Sequence, residues 1–406
     1  MELRNYKYVA VNTKGKIVKG RFETINKYTC TKYLESKNLK IQSLTESNNI
    51  FTKLNSIVVS SVLSRQQLIF FLKQLSALLK AGITITSALE VLALQQDNKY
   101  LRRLFFTINL DISNGLSFSQ SLGKHPKEFP NMLIQMVEIG EISGKLPQTI
   151  LRMADYYDNQ TKISNSIKST VRMPLMYLGL TILVAVGLVL FVFPSITDLF
   201  VSFEGSELPG ITVFFLNASS FLSNNIITIL VVITLLSSTI YLLYKYVPKI
   251  RYVFSAILLK SPIFGQLIQM YNQILIANSL AQMLSNGVNT LYALETIKDL
   301  LNNVIYLELI ENTVKNIQDG SPFSKAFKES DFIDPIMARM VATGENTGDI
   351  PSLMTNLSEY YNDMSELRIN RIKNLLQPML LIFVYAIIGV MLLAIMLPML
   401  SLGSQI

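Results

Sequence analysis

Three long apolar segments restrict the fold more than any other feature of this sequence. They occupy residues 174–197, 226–247 and 378–400, and the one charged residue among them, Lys245, lies near the end of the second. About 20 residues of helix cross the hydrocarbon core of a bilayer. Because a membrane-spanning segment must satisfy its backbone hydrogen bonds internally, we expect three transmembrane helices.

The charges around these segments predict how the chain is oriented. Residues 198–225 contain three acids and no Lys or Arg, so the formal net charge of +8 divides into −3 in this loop and +11 elsewhere. Cytoplasmic loops are enriched in Lys and Arg. We therefore expect a multi-pass protein of the cytoplasmic membrane, with its N-terminus in the cytoplasm and with residues 198–225 and the tail 401–406 outside. The basic residues that mark the cytoplasmic ends are Lys162, Lys168, Arg172, Lys245, Lys249, Arg251, Arg368, Arg371 and Lys373.

The chain also contains an internal repeat. Gly140-Glu141-x-x-Gly144 recurs as Gly344-Glu345-x-x-Gly348 at an offset of 204 residues, and further upstream the offset becomes 205. Self-similarity at a fixed offset indicates a duplicated structural unit. Each copy comprises a soluble part followed by one outward-running span. The second span has no counterpart in the repeat, so we expect it to be the return crossing.

Apolar positions at three-and-four spacing predict that the soluble parts are helical bundles. Capping-box residues predict helix starts at Ser64 and Ser117, and Ser321-Pro322 repeats the second start with Pro322 as the first helical residue. The glycines of the Gly-Glu-x-x-Gly motifs predict left-handed helix ends. We expect a first cytoplasmic helical domain over residues 64–173 and a second over residues 248–377. The N-terminal residues differ, because short β-prone runs over 6–11 and 17–22 flank the turn Asn12-Thr13-Lys14-Gly15 and predict a hairpin. We expect a helix over 26–36 and a further strand over 40–44 to follow it. The predicted fold class is an all-α integral membrane protein with two repeated cytoplasmic helical bundles, three transmembrane helices and a small N-terminal α+β module. This module covers residues 1–45 and precedes a linker over residues 46–63.

Several kinds of chemistry lack the residues that they require. The chain has one Cys, Cys30, and one His, His125, so it cannot form an internal disulfide and lacks the ligands or imidazoles of most zinc sites and His-dependent active sites. The segment 140–145 lacks the glycine spacing and the Ser or Thr of a phosphate-binding loop. No cluster of interleaved basic and aromatic residues indicates nucleic-acid binding. We therefore predict no enzymatic activity, no cofactor and no resident metal.

A transporter or channel subunit is the alternative function. Ion pathways through membranes are marked by embedded Asp, Glu, His or Arg side chains. The interiors of the three apolar segments carry Thr, Ser and Gly instead, which favour helix association. The sequence thus favours a membrane protein that packs against other helices over one that conducts a charged solute.

Two repeated carboxylates are the candidate functional residues. Glu141 and Glu345 lie in the last turn of a predicted helix, where the negative end of the helix dipole disfavours an acid. Either each Glu caps the next helix, or it pairs with a cation or with a partner's backbone at an interface. A second acidic pair, Asp155 and Asp158, shares one helical face. We expect this pair either to form a solvated or subunit-facing surface or to help hold a divalent ion.

Three kinds of motif together indicate a family resemblance. They are Tyr8-x-Ala10-x4-Gly15-x4-Gly20, the duplicated L-x-x-L/M-L-x-x-G segments that end at Gly82 and Gly287, and the duplicated Gly-Glu-x-x-Gly elements, each followed by Tyr-Tyr. Their order, their duplication and the interleaved spans are similar to those of the polytopic inner-membrane platform proteins of type IV pilus and type II secretion machines.

The resemblance implies a non-enzymatic assembly platform. Such a protein is expected to form homo-oligomers, to engage a hexameric cytoplasmic assembly ATPase and other inner-membrane assembly proteins, and to contact the transmembrane helices of pilin or pseudopilin. ATP turnover would then lift these subunits into a fibre, for either a pilus or a secretion machine. Glu138 and Lys145 become Ala342 and Asp349 in the second copy, so matched positions need not bind the same partner. The expected interface residues are Gly140, Glu141, Gly144, Gly344, Glu345 and Gly348.

Overall fold

A computed structural model describes most of the chain. The described part is mainly helical and contains one small three-stranded sheet, which agrees with the predicted fold class. Most of the predicted linker 46–63, the first part of the predicted loop 198–225 and the end of the predicted tail 401–406 lie outside the described residues. The described residues are 4–13, 15–24, 26–46, 63–192, 194, 210–262 and 264–403.

The N-terminal module is a three-stranded antiparallel sheet packed against one helix. Strand β1 (Arg4–Val11) lies between β2 (Ile17–Thr24) and β3 (Lys40–Glu46), and α1 (Lys27–Ser36) connects β2 to β3. The side chain of Asn26 caps α1 by accepting a hydrogen bond from a backbone N–H of its first turn. The predicted hairpin, helix and third strand are thus confirmed.

The first repeat forms five helices and the start of a sixth that leaves the bundle. The predicted capping box at the start of α2 is present, because Ser64 and Gln67 each accept a hydrogen bond from the backbone N–H of the other. The last helix, α7, runs through Pro174 into the first apolar segment and continues as a short π-helix over Leu188–Val192. The helices are α2 (Arg65–Lys80), α3 (Ile85–Gln95), α4 (Lys99–Ser113), α5 (Phe118–Gly123), α6 (Asn131–Ile142) and α7 (Leu146–Gly187).

Polar and aromatic contacts attach the N-terminal module to this bundle. The hydroxyl of Thr29 donates to a carboxylate oxygen of Glu90 at 2.7 Å. The guanidinium of Arg102 lies 5.1 Å from the ring centre of Phe22 and 4.7 Å from that of Tyr33. Such cation–π contacts are stabilising when they are partly shielded from water. The module is therefore packed against the first bundle.

The second repeat forms a similar series of helices. The buried hydroxyl of Tyr306 in its core donates to the Phe332 carbonyl at 2.8 Å. The last helix, α15, runs from the bundle into the third apolar segment. The helices that follow the first span are α8 (Gly210–Tyr246), α9 (Pro248–Lys260), α10 (Gly265–Leu284), α11 (Thr290–Lys298), α12 (Val304–Gln318), α13 (Lys325–Glu329), α14 (Pro335–Thr347) and α15 (Ile350–Gly403).

Contacts divide the chain into two compact units whose limits differ from those of the repeat. Residues 278–300 belong to the second repeat in sequence but pack with the first. The hydroxyl of Thr296, for example, donates to the side chain of Gln135 at 2.8 Å, and both groups are buried. The bundle around the first repeat is thus completed by a segment from far along the chain. The two units are residues 1–162 with 278–300, and residues 163–277 with 301–406.

Three continuous helices among the described residues are long and apolar enough to cross a membrane, as predicted. At one end of these spans, Val189, Met391 and Ala394 form a buried cluster with side chains of α8 around them. The hydroxyl of Thr212 donates to the Ala394 carbonyl at 2.8 Å. Because these contacts continue the middle helix to Gly210, residues 210–225 of the predicted loop are helical. The spans lie within Leu146–Val192, Gly210–Tyr246 and Ile350–Leu397.

The Gly-Glu-x-x-Gly turns as the candidate functional site

Glu141 holds the N-terminus of a neighbouring helix. This half-buried residue lies in the last turn of α6. Its Oε1 accepts a hydrogen bond from the Phe118 N–H at 2.7 Å, and its Oε2 accepts from the Ser119 N–H at 3.0 Å and from the Ser119 hydroxyl at 2.7 Å. These N–H groups begin α5, where backbone donors lack intrahelical partners and the helix dipole favours an anion. Glu141 therefore caps α5 beside the predicted capping box of Ser117 and Gln120, which is also present.

Glu345 makes the same arrangement in the second repeat. Its carboxylate accepts hydrogen bonds from the Phe323 N–H and, at 3.1 Å, from the Ser324 N–H. These donors precede α13, which begins three residues later than the sequence predicted. Burial acts to raise the pKa of Glu345, but the hydrogen bonds from Ser324 and Phe323 and the charge of Lys328 outweigh it, so this pKa lies below its usual value of 4.5. The carboxylate is accordingly ionised at neutral pH.

The two glycines of each motif have different roles. A Cβ atom on Gly140 or Gly344 would lie 3.0 Å from an atom of the long helix that follows, so the first glycine permits close helix packing. The second glycine, Gly144 or Gly348, has a φ of 69° or 73°. Glycine adopts this left-handed conformation without the steric cost that a Cβ atom would add. The predicted left-handed glycines at these helix ends are confirmed.

Each motif thus joins three consecutive helices: a short capped helix, the motif helix and the long helix that runs into a span. Of the two alternatives for the carboxylates, capping is the one that the structure shows: in both repeats the Glu accepts hydrogen bonds from backbone N–H groups at the start of a short helix. The prediction was that each Glu caps the next helix, but the helix that Glu141 caps, α5, precedes the motif helix α6 along the chain. The two helices pack against each other. Sequence reasoning missed the donors, although Phe118-Ser119 recurs as Phe323-Ser324 at the upstream offset of 205 residues. That recurrence is the sequence signal by which these donors could have been found.

The outer surface of the turn differs between the repeats. The side chain of Ile142 is 83% exposed, and Glu138 and Lys145 are also exposed. The corresponding residues of the second copy are Ala342, Asn346 and Asp349. The glutamate, the two glycines and the Phe-Ser pair of N–H donors are therefore the same in both copies, whereas these three positions differ.

The acidic pair on α7 lies on an ion-paired surface. A carboxylate oxygen of Asp158 lies 2.7 Å from the Lys73 Nζ and 3.5 Å from the Lys162 Nζ, while Asp155 is exposed. The hydrogen bond from Lys73 is the main cause that lowers the pKa of Asp158. In the part of the chain that the structure describes, no three His, Cys, Asp or Glu side chains are grouped so that they could hold a metal ion. Asp158 is therefore engaged in ion pairs with Lys73 and Lys162 within the bundle.

The single Cys and the single His are packed within the first compact unit. Cys30 has no exposed surface, and burial raises the pKa of its thiol to about 11. His125 is half-buried, and burial is the main cause that lowers its pKa. The burial of both side chains agrees with a packing role for each.

The fold defines a class of protein: a membrane protein with three spans, in which two copies of one helical unit each run directly into a span. A family profile described as "Type II secretion system (T2SS), protein F" matches residues 71–194 and 276–398, which are the two repeats. The chain belongs to this family, the multi-pass inner-membrane platform proteins of type IV pilus and type II secretion machines.

Three relatives span nearly the whole chain. "Type IV pilus assembly protein PilC" of Thermus thermophilus is 27% identical over 402 residues, which cover 97% of each protein. "Protein transport protein HofC homolog" of Escherichia coli is 27% identical over 92% of this chain and 93% of its own length. "Type II secretion system protein F" of Vibrio cholerae is 25% identical over 98% of each. The similarity thus includes the N-terminal module as well as both repeats.

Proposed function

We propose that the protein couples a hexameric cytoplasmic ATPase to the extraction of pilin or pseudopilin subunits from the membrane into a fibre. The continuity of two helices carries this proposal. Helix α7 covers 42 residues and α15 covers 54, and each extends from a bundle into a span without a break. At a rise of about 1.5 Å per residue, they are roughly 60 and 80 Å long. A displacement of either bundle would therefore move its span.

The Gly-Glu-x-x-Gly turns support this coupling, because they hold the start of each long helix. The carboxylates of Glu141 and Glu345 fix the preceding short helix to the motif helix, and Gly140 and Gly344 bring the motif helix against the long one. We propose residues 140–144 and 344–348 as the coupling positions. Partner contacts would lie on their outward-facing side chains, which differ between the copies.

The proposed partners follow from the family and its named relatives. They are the assembly ATPase, the transmembrane helices of pilin or pseudopilin, other inner-membrane assembly proteins and further copies of this chain. The protein itself is proposed to have no catalytic activity. Relatives are named for both pilus assembly and type II secretion. Electron microscopy of a strain that lacks the protein, together with analysis of its secreted proteins, would separate these two machines.

A three-glycine insertion after Asn165 tests the proposed coupling, because it interrupts α7 between the bundle and the span. The same insertion within the predicted linker 46–63 is the control. In a deletion strain, we expect the control to restore fibres or secretion and the α7 insertion to fail, with both proteins present in the membrane at equal levels. Normal fibres or secretion with the α7 insertion would contradict the proposal. Solute flux through liposomes that contain the purified protein would favour the transporter alternative.

The orientation, with the N-terminus and both bundles in the cytoplasm and the C-terminus outside, is also a proposal. The native thiol of Cys30 cannot report it, because that side chain is fully buried. In a Cys30→Ser background, a membrane-impermeant maleimide added to intact cells should label Ser206→Cys and should leave Ile142→Cys unlabelled. Labelling of the exposed position 142 in intact cells would show that the orientation is the opposite of the one proposed.

A further inference from the structure

A cleft of about 610 Å³ opens between the first and third spans. It lies between two segments of the same compact unit, one on α7 and one on α15. Ser169, Lys373 and Gln377 line one end, and Leu380 and Val384 line the other. The polar end is next to the bundles along the chain, and the apolar end is further into the spans. The cleft is therefore amphipathic along its length.

The cleft ends within one leaflet of a bilayer. Eleven residues separate Lys373 from Val384 on α15, which corresponds to about 16 Å along the helix axis. Because Lys373 lies five residues before the apolar segment 378–400, only about 9 Å of this length lies in the hydrocarbon core, which is about 30 Å thick. Beyond the cleft, Val189 of the first span and Met391 of the third lie in one buried cluster, and the gap between the spans is closed.

The charge of the cleft is entirely positive. Among the described residues that line it, Lys373 is the only charged one. The segments 163–181 and 367–384, which contain the lining residues, have no acid. Basic pockets between transmembrane helices on the cytoplasmic side are typical binding sites for anionic lipid head groups. The other cations of these segments are Lys168, Arg172, Arg368 and Arg371.

We propose that the cleft binds an anionic phospholipid of the leaflet next to the bundles. The phosphate lies at Lys373, and an acyl chain lies along Leu380 and Val384. A transmembrane helix of a partner protein fits less well, because such a helix needs a groove through the whole membrane and this one closes within a single leaflet. The lipid would fill the gap between the two repeated spans and set their separation.

Lipid titration of the full-length protein in detergent, followed by native mass spectrometry, tests the proposal with phosphatidylglycerol and phosphatidylcholine. We expect tighter binding of phosphatidylglycerol. Lys373→Gln should weaken it about fivefold, the effect of one cation near an anionic lipid. Lys245→Gln is the matched control, since it removes an exposed cation from the end of the second span, outside the cleft. Equal affinity for the two lipids, or equal effects of the two substitutions, would overturn the proposal.

Two further measurements separate lipid binding from misfolding and from binding of a partner helix. Val384→Trp fills the apolar end and should displace phosphatidylglycerol although Lys373 is intact, whereas unchanged binding would count against the site. A benzoylphenylalanine residue at Leu380, irradiated in cell membranes, should form a phospholipid adduct. A protein adduct in its place would assign the cleft to a partner helix. These results do not depend on the proposed ATPase coupling, which the α7 insertion tests separately.

Discussion

Replacement of Glu141 by Ala is the most direct test of the turn. The substitution removes the acceptor of three hydrogen bonds, from the N–H groups of Phe118 and Ser119 and from the Ser119 hydroxyl. Loss of a helix cap costs about 1 kcal/mol, and hydrogen bonds to a charged group contribute about 1.5–3 kcal/mol each. Because Glu141 is half-buried, water replaces part of this loss. We therefore expect the local stability of the turn to fall by about 2–3 kcal/mol.

Hydrogen exchange of the full-length protein measures this loss where it occurs. A decrease of about 2–3 kcal/mol corresponds to roughly 30- to 150-fold faster exchange of the amides that begin α5. Mass spectrometry of a peptide that covers residues 116–123 reports these amides. Glu138→Ala, three residues earlier on the exposed face of α6, should change their exchange by less than about twofold.

The second repeat offers a matched control. Glu345→Ala should accelerate exchange in residues 322–329 and leave residues 116–123 as protected as in the wild type. Unchanged protection of residues 116–123 in Glu141→Ala would refute the capping role. Equal loss of protection in both repeats from either substitution would show a global effect and would refute the local reasoning.

Four further predictions concern the same bundles. The lowered pKa of Glu345 means that its ionised form stabilises the folded turn. This stabilisation is complete well above pH 4.5 and is lost as the pH falls below that value. Glu345→Gln should therefore weaken the pH dependence of hydrogen exchange in residues 322–329. Gly344→Ala places a methyl group 3.0 Å from the backbone of the next helix and should lower the free energy of unfolding by about 1–3 kcal/mol. The same change at the exposed Gly123, where a methyl group has no close neighbour, should not lower it. Equal shifts of the unfolding temperature for the two variants would contradict the close packing at Gly344. Tyr156→Phe loses a buried 2.8 Å hydrogen bond with the Ser279 hydroxyl and should lower stability by about 1 kcal/mol. The hydroxyl of Tyr157 is buried with no hydrogen-bond partner among the described residues, so Tyr157→Phe should leave thermal stability equal to or above that of the wild type.

Much of the secondary structure was predictable because its signals are local. The capping box at Ser64 and the left-handed glycines at Gly144 and Gly348 each depend on a few adjacent residues. The helix limits deviated where long-range packing continued an element, as in the contact of Thr212 with the third span. The start of α13 also differs from the prediction, and the Phe323 and Ser324 N–H groups that donate to Glu345 precede this helix.

The candidate site was predicted in part. The repeat located Glu141 and Glu345, and the helix dipole showed that an acid in that position needed a specific partner. Neither observation identified the partner, because the donors lie 21 to 23 residues earlier in the chain. Only the antiparallel packing of the short helix and the motif helix brings them to the carboxylates.

The sequence by itself determined the membrane spans, the duplication and the family, since these depend on the length of apolar segments and on the order of motifs along the chain. Only the tertiary structure decided which groups meet: the Glu141 carboxylate with the N-terminus of α5, residues 278–300 with the first bundle, and the lining of the cleft beside Lys373. Hydrophobicity specifies that a helix is buried in a membrane or a bundle, whereas the pairing of distant side chains depends on how those helices pack.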